Sequence, residues 1–245
     1  FPNKQTLNKV FSLSVNTGQN IESIILEQYP HFEDQVERIV DINKIFTEYK
    51  RRNNLLDYDD LLVYLRNFLE DFNPGTKSLL GSIKFVMVDE YQDTNKLQAD
   101  IVLGLTQLNK NIMVVGDDSQ AIYSFRGANF KNIIEFPKLF ENVQIIKLEE
   151  NYRSTQPILD LANCVIEEAT EKYSKRLFTR KIDGPLPSLV EAAGENAQSR
   201  FIAQKILELR EEGVPLDEVV GKSKNVPLDS DTICTARDLG ISLGD

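Results

Sequence analysis

Two short apolar runs, each emptying into acidic residues, bracket one amphipathic stretch, and this pattern leaves few folds open. The first, Phe85-Val86-Met87-Val88, delivers Asp89 and Glu90 into the polar turn Tyr91-Gln92-Asp93-Thr94-Asn95. The second, Asn111 to Val115, ends in Gly116-Asp117-Asp118. Short β-branched and aromatic runs with polar boundaries suit buried strands of a parallel sheet. Between them Leu97, Ile101, Val102 and Leu105 recur on one face of a helix expected over 95–108. Strand, helix and strand in about 30 residues make a βαβ unit, for which a parallel, right-handed arrangement is strongly favoured. Both strand ends then open on one edge of the sheet, where ligands of open α/β sheets bind.

The rest of the chain fits around this unit. Phe32, Val36, Ile39, Val40, Ile42, Ile45, Phe46 and Tyr49 predict a helix over 32–53 that closes in Lys50-Arg51-Arg52-Asn53-Asn54. Cations there complement the helix dipole, with a nucleic-acid patch as the alternative use. Asp57 can cap the next helix, running to about Phe72, with Leu61, Leu62, Leu65, Phe68 and Leu69 as its buried stripe. Asn73-Pro74-Gly75 breaks it. A third strand is expected over Val143–Leu148, leading into Glu149-Glu150-Asn151-Tyr152-Arg153. Thr155 can cap a helix with Pro157 in its first turn, ending near Ala169. Residues 187–192 predict a strand, Asn196–Glu212 a helix, and Leu216–Val220 a last strand; 221–245 lose this rhythm.

Composition narrows the chemistry. With 41% hydrophobic and 27% charged residues the chain should bury a core. No apolar run reaches the roughly 18–20 residues of a membrane span, and no charged-then-apolar signal segment opens the chain. Phe1 at the start, in place of Met, is expected to mark a piece of a longer or processed protein. Cys164 and Cys234 form no metal spacing; Cys164 sits in an apolar helical pattern and is expected in the core, and a reduced, cytoplasmic setting is the default. His31 is the single histidine, which disfavours histidine catalysis or a histidine metal site. A net charge of −10 argues against nonspecific nucleic-acid binding by the whole surface, though not against a local groove.

Three expected strand ends offer compatible groups: Asp89 and Glu90, then Asp117-Asp118-Ser119-Gln120, then Tyr152-Arg153. A triphosphate with Mg²⁺ needs a carboxylate for the metal, an amide at the terminal phosphate and an arginine over the transition-state charge. The fork of an arginine meets two phosphate oxygens, which a lysine cannot do. Asp-Glu after a strand is also, more plainly, a common solvated turn. Tyr123 and Phe125, followed by Arg126 and Gly127, could stack on unpaired bases or could pack as a core pair under a loop.

Four blocks in order sharpen these readings. Val88-Asp89-Glu90-Tyr91-Gln92-Asp93-Thr94-Asn95 resembles the Walker B motif of superfamily 1 helicases of the UvrD/Rep/PcrA type. Val114 to Ala128, including Gly116-Asp117-Asp118-Ser119-Gln120 and Tyr123-Ser124-Phe125-Arg126-Gly127, resembles that family's next motif, and Leu148 to Thr155 the one after. Leu56-Asp57-Tyr58-Asp59-Asp60-Leu61-Leu62 resembles a further block, with Tyr58 where the family usually has Phe.

The resemblance implies an α/β fold built on the RecA-like parallel sheet of P-loop NTPases. Residues 1–54 would be a helical 1B subdomain remnant, 55–147 the later half of lobe 1A, 148–220 the start of lobe 2A, and 221–245 unassigned. It implies an ATP-dependent 3′→5′ DNA helicase, an ATP hydrolase acting in replication or repair on single-stranded DNA and single-strand/duplex junctions. ATP and Mg²⁺ are the implied cofactors. Asp89 would bind Mg²⁺, Glu90 would be the general base, and Gln120 would contact the γ-phosphate. Tyr152 would stack on adenine and Arg153 would act as arginine finger. Tyr123 and Phe125 would lie against DNA bases, with Phe125 where several members carry Trp, and Arg126 would couple the DNA and nucleotide sites.

The sequence departs from the family in one consequential way. It contains no Gly-x-x-x-x-Gly-Lys-Ser/Thr phosphate loop; Gly221-Lys222-Ser223 has Leu216 where the first Gly belongs and falls after Walker B rather than before it. The 245 residues by themselves are therefore expected to hydrolyse ATP poorly or not at all. A helicase–nuclease of the RecB/AddA type shares the motor, but often shows Asp-Pro-Lys-Gln where this chain has Asp117-Asp118-Ser119-Gln120. A non-catalytic DNA- or protein-binding module is the third possibility.

Overall fold

The computed structural model describes residues 1–121, 123–124, 127–170, 172–216 and 219. The chain divides into two compact units, Phe1–Gly184 and Pro185–Asp245. The described residues are mostly helical, and the expected parallel α/β sheet is present as two strands, β1 (Val86–Val88) and β2 (Ile112–Val114), paired in parallel with Val86 opposite Ile112. The helix α6 (Lys96–Leu105) connects them, as the sequence spacing requires.

Asparagine sets many of the helix starts. Asn3, Asn20 and Asn73 accept from a backbone N–H in the first turn of α1 (Lys4–Thr17), α2 (Ile21–Gln28) and α5 (Pro74–Ser82). Each bond satisfies a donor that the helix cannot satisfy itself. Asn95 and Gln98 form a reciprocal capping box on α6, and Asp57 with Asp60 does the same on α4 (Tyr58–Glu70). The Asn73-Pro74-Gly75 breaker thus ends one helix and starts another; Pro74 lies in the first turn of α5, where its missing N–H costs nothing.

Helices α1 and α2 pack with α3 (Val36–Arg52) around Val10, Phe11, Ile21, Ile24, Ile25 and Ile39. A second core joins α4, α5 and α6 through Leu69, Leu80, Leu97 and Ile101. The α4 stripe differs from expectation: Leu69 is buried and Leu62 and Val63 pack beside it, but Leu61, Leu65 and Phe68 are exposed. The predicted α3 stripe also narrows, since Ile45, Phe46 and Tyr49 are exposed. Lys50 is held by Asp57 and Asp60, both at 2.7 Å, so the basic end of α3 is tied to the α4 cap.

The sheet is apolar on both faces but covered on one. Val88, Ile112 and Val114 pack over Tyr91, Ile133 and Phe136, the last two from α7 (Lys131–Glu135) and the 3-10 turn after it. Met87 and Met113 alternate outward and are exposed at 73% and 53%, which corrects the expectation of strands buried on both sides.

The other predicted strands need correction too. Residues 143–148 form no ladder, and Ile145, Ile146 and Leu148 are exposed; a β-branched run becomes a strand only where a neighbour offers its backbone. Residues 187–192 are irregular and exposed. Of Leu216–Val220, Leu216 is in a helical turn, and most of the rest lies outside the described residues. Cys164, on α8 (Gln156–Glu167), is exposed rather than in the core, and Cys234 lies outside the described residues. Thr155 occupies the N-cap of α8 but its side chain makes no capping bond. In the second unit, α9 (Glu195–Glu211) matches the predicted helix and buries Ala203 against Ile206 and Leu207.

Candidate functional site

The parallel register places the two acid-bearing strand ends side by side. Val115 N–H donates to Val88 O at 2.7 Å, and Tyr91 N–H donates back to Val115 O at 2.9 Å. The chain leaves β1 sharply: Glu90 is left-handed, φ 50° and ψ 41°, and a 3-10 turn follows over Tyr91–Asp93. A non-glycine residue in that region carries about 1–3 kcal/mol of strain. Asp89 and Glu90 are both exposed, and Asp89 Oδ1 accepts from Glu90 N–H at 2.9 Å.

Gln92, which the motif reading left without a role, joins the two ends. It is 1% exposed. Its Nε2 donates to Glu90 Oε2 at 2.7 Å, while its Oε1 accepts from Asp117 N–H at 2.9 Å. Gly116 makes room for that amide. A Cβ there would stand 2.5 Å from Gln92 Oε1 and 2.7 Å from Ile133 Cδ1. Beside Glu90, burial and that carboxylate push the Asp93 carboxyl up, against a hydrogen bond from Gln92.

The network continues through Asp117. Its Oδ2 accepts from Gln120 Nε2 at 2.9 Å and its Oδ1 from Ser119 N–H at 3.0 Å. Lys175 Nζ contacts Asp117 Oδ1 and lies 2.9 Å from Asp118 Oδ1. Asp89, Glu90 and Gln120 therefore belong to one hydrogen-bonded edge, with Gln92 and Asp117 as the links. Tyr152 and Arg153 sit on a different turn. The Tyr152 hydroxyl donates to Glu150 Oε2 at 3.1 Å; this bond and the Glu150 charge push the exposed phenol up. Asn151 Oδ1 accepts from Arg153 N–H at 2.9 Å and Ser154 N–H at 2.7 Å, and the Arg153 residue is exposed.

For Asp117, burial raises the carboxyl, but the hydrogen bonds from Lys175 and Gln120, the Lys175 charge and the Ser119 N–H outweigh it and hold it below the usual range. For Lys175, burial lowers the ammonium, and its two carboxylate partners more than reverse that. A lowered folded-state carboxyl stabilises above its unfolded pKa and loses that contribution as pH falls through the folded value; a raised ammonium stabilises below its unfolded pKa and loses it as pH rises through the folded one. Urea midpoints should therefore fall below the ordinary Asp range and above the ordinary Lys range. In Lys175→Met this part of the acid loss should shrink, because burial of Asp117 is then opposed only by Gln120 and the Ser119 N–H, and superimposable acid limbs would refute this account.

The base-contacting candidates are only partly described. Tyr123 is 38% exposed; Phe125 and Arg126 lie outside the described residues. Ala128 bridges to Asn95, and Asn129 N–H donates to Thr94 O at 3.0 Å, so the loop after Tyr123 is stitched to the loop after Glu90. Among the described residues no group of three or more His, Cys, Asp or Glu could hold a metal. Mg²⁺ takes one or two carboxylates and fills its shell with phosphate oxygens and water, a demand that the exposed Asp89 carboxylate could meet.

Comparison with known proteins accords with these motifs. Residues 2–141 match the UvrD/REP helicase N-terminal domain, and residues 146–220 match the UvrD-like helicase C-terminal domain. The chain belongs to the UvrD/REP helicase family. It is 38% identical over 173 residues to the ATP-dependent DNA helicase PcrA of Leuconostoc citreum, covering 69% of this chain and 23% of that protein. It is 37% identical over 172 residues to PcrA of Staphylococcus aureus, covering 69% of this chain and 24% of that protein. A probable DNA helicase II homolog of Mycoplasma capricolum is 35% identical over 172 residues, with 70% and 24% covered. The chain thus spans about a quarter of the length of these curated relatives. No helix among the described residues is long and apolar enough to cross a membrane.

Proposed function

We propose that this chain carries the central motifs of an ATP-driven 3′→5′ DNA helicase acting on single-stranded DNA. The observation that supports this most is the continuous path from Glu90 through Gln92 and Asp117 to Gln120 at the ends of two parallel strands. A relative named as an ATP-dependent DNA helicase is 38% identical to this chain over 173 residues. In this reading residues 55–147 belong to a RecA-like lobe 1A, 148–220 begin lobe 2A, and 1–54 belong to a 1B-like subdomain.

Asp89 would hold Mg²⁺, which when bound neutralises phosphate charge. Glu90, fixed by Gln92, would take the proton of the attacking water. Gln120 would leave Asp117 to meet the γ-phosphate. Tyr152 would stack on adenine, and Arg153 would spread over the transition-state charge from the second lobe. Tyr123, Phe125 and Arg126 would meet single-stranded DNA.

Two measurements test this. The 245-residue chain should show no ATP turnover above background, because no phosphate loop cradles the β- and γ-phosphates; robust turnover abolished by Glu90→Gln would overturn that point. The chain should bind oligo-dT in preference to duplex. Phe125→Ala should weaken that binding about tenfold, since one base–aromatic stack contributes about 1–3 kcal/mol. Equal affinity for both DNA forms, unchanged by the substitution, would remove the DNA reading.

A further inference from the structure

We infer that residues 173–181 form a strap fixing the Asp117–Gln120 turn against the Glu149–Arg153 turn, with Lys175 as its positioning residue. The inference deepens the proposed reading, because those turns carry Gln120 and Arg153. It starts from anchors at both ends of one short segment. On one side, Tyr173 N–H donates to Asp118 Oδ2 at 2.9 Å, the Tyr173 hydroxyl donates to Ile133 O at 3.0 Å, and Lys175 Nζ lies between Asp117 and Asp118. On the other, Arg176 N–H donates to Glu149 Oε1 at 2.9 Å and Phe178 N–H to Glu149 O at 3.0 Å. Asn151 N–H then donates to Phe178 O at 2.7 Å, and Gln156 N–H to Lys181 O at 3.0 Å.

Lys175 and Arg176 are consecutive, so a single Cα–Cα step of about 3.8 Å separates the two sets of anchors. The strap belongs to the region matching the C-terminal helicase domain, and the turn it grips belongs to the region matching the N-terminal one. Its grip is electrostatic and sheltered: the side chains of Lys175 and Asp118 are 16% and 4% exposed. Removing the cation leaves Asp118 as a buried carboxylate, the arrangement that tolerates loss of a partner least. Asp117, freed on the same side, also carries the Gln120 amide on its other oxygen. The Lys175 charge therefore sets the carboxylate on which Gln120 rests.

The test is electron–electron distance measurement on the full chain, spin-labelled at native Cys164 on α8 and at Ser78→Cys on α5, both exposed, with Cys234→Ser. The unsubstituted strap and Lys175→Arg should give one narrow distance distribution. Lys175→Met should broaden it and add a second population, with helix content retained by circular dichroism. Should Lys175→Met fail to fold, Asp118→Asn, which removes a charge but keeps an acceptor for Tyr173 N–H, should broaden it in the same direction. Unchanged distributions in the folded variants would overturn the inference. No nucleotide or DNA enters the measurement, so its failure is separable from failure of the helicase reading.

Discussion

Alanine at Gly116 should destabilise the protein by about 2–4 kcal/mol, combining overpacking with an orphaned buried donor. The new methyl would collide with Gln92 Oε1 and Ile133 Cδ1, and the Tyr91 backbone nitrogen stands 3.2 Å away. A glutamine end can move, but this one is buried and accepts the Asp117 N–H. Its displacement would free Glu90 and strip Asp117 of a partner together. Urea unfolding of Gly116→Ala, Gln92→Ala and the double variant separates these effects. Because Ile133 still crowds the site without Gln92, partial coupling of about 1–2 kcal/mol is expected, as for residues in direct contact. Strict additivity would show that Gly116 does not serve the Gln92 bridge.

Leu80→Ala should cost about 3–4 kcal/mol, within the range for buried leucines whose surroundings cannot collapse. Leu80 is fully buried on α5 between Leu69 of α4 and Leu97 and Ile101 of α6. Asn109, in the loop after α6, donates to Leu80 O at 3.4 Å, so the backbone around the void is also held. Leu79→Ala, one position earlier and 41% exposed, should change stability by less than about 1 kcal/mol. Similar urea midpoints for the two variants would mean that α5 does not pack as described. Loss in Leu80→Ala alone would show that α5 is held through its core with α4 and α6.

How much of this could be read in advance depended on whether the signal was local. The βαβ unit was legible because its strands, helix and spacing are consecutive, and Leu97 and Ile101 are buried as their period requires. The α5 helix was missed because Asn73-Pro74-Gly75 reads equally as an end and as a start; Asn73 capping Thr76 decides it. Residues 143–148 have strand composition, but composition cannot supply a neighbouring backbone. Cys164 lies on an apolar helix whose covering partner periodicity does not specify. At the site, the acids and Gln120 stood out by type and position. Lys175 did not, because its carboxylates lie 57 and 58 residues away along the chain. Gln92 gave a weak clue: an amide between acids in a turn, four residues after the end of an apolar strand run, can be aimed inward to join them.

Glu90 occupies the one backbone conformation of its loop that glycine would adopt more readily. Selection for a sturdier chain and selection for a carboxylate at this point therefore pull in opposite directions. The twist that turns the acid out of the strand is retained at a thermodynamic disadvantage, a trade common where chemistry and durability compete.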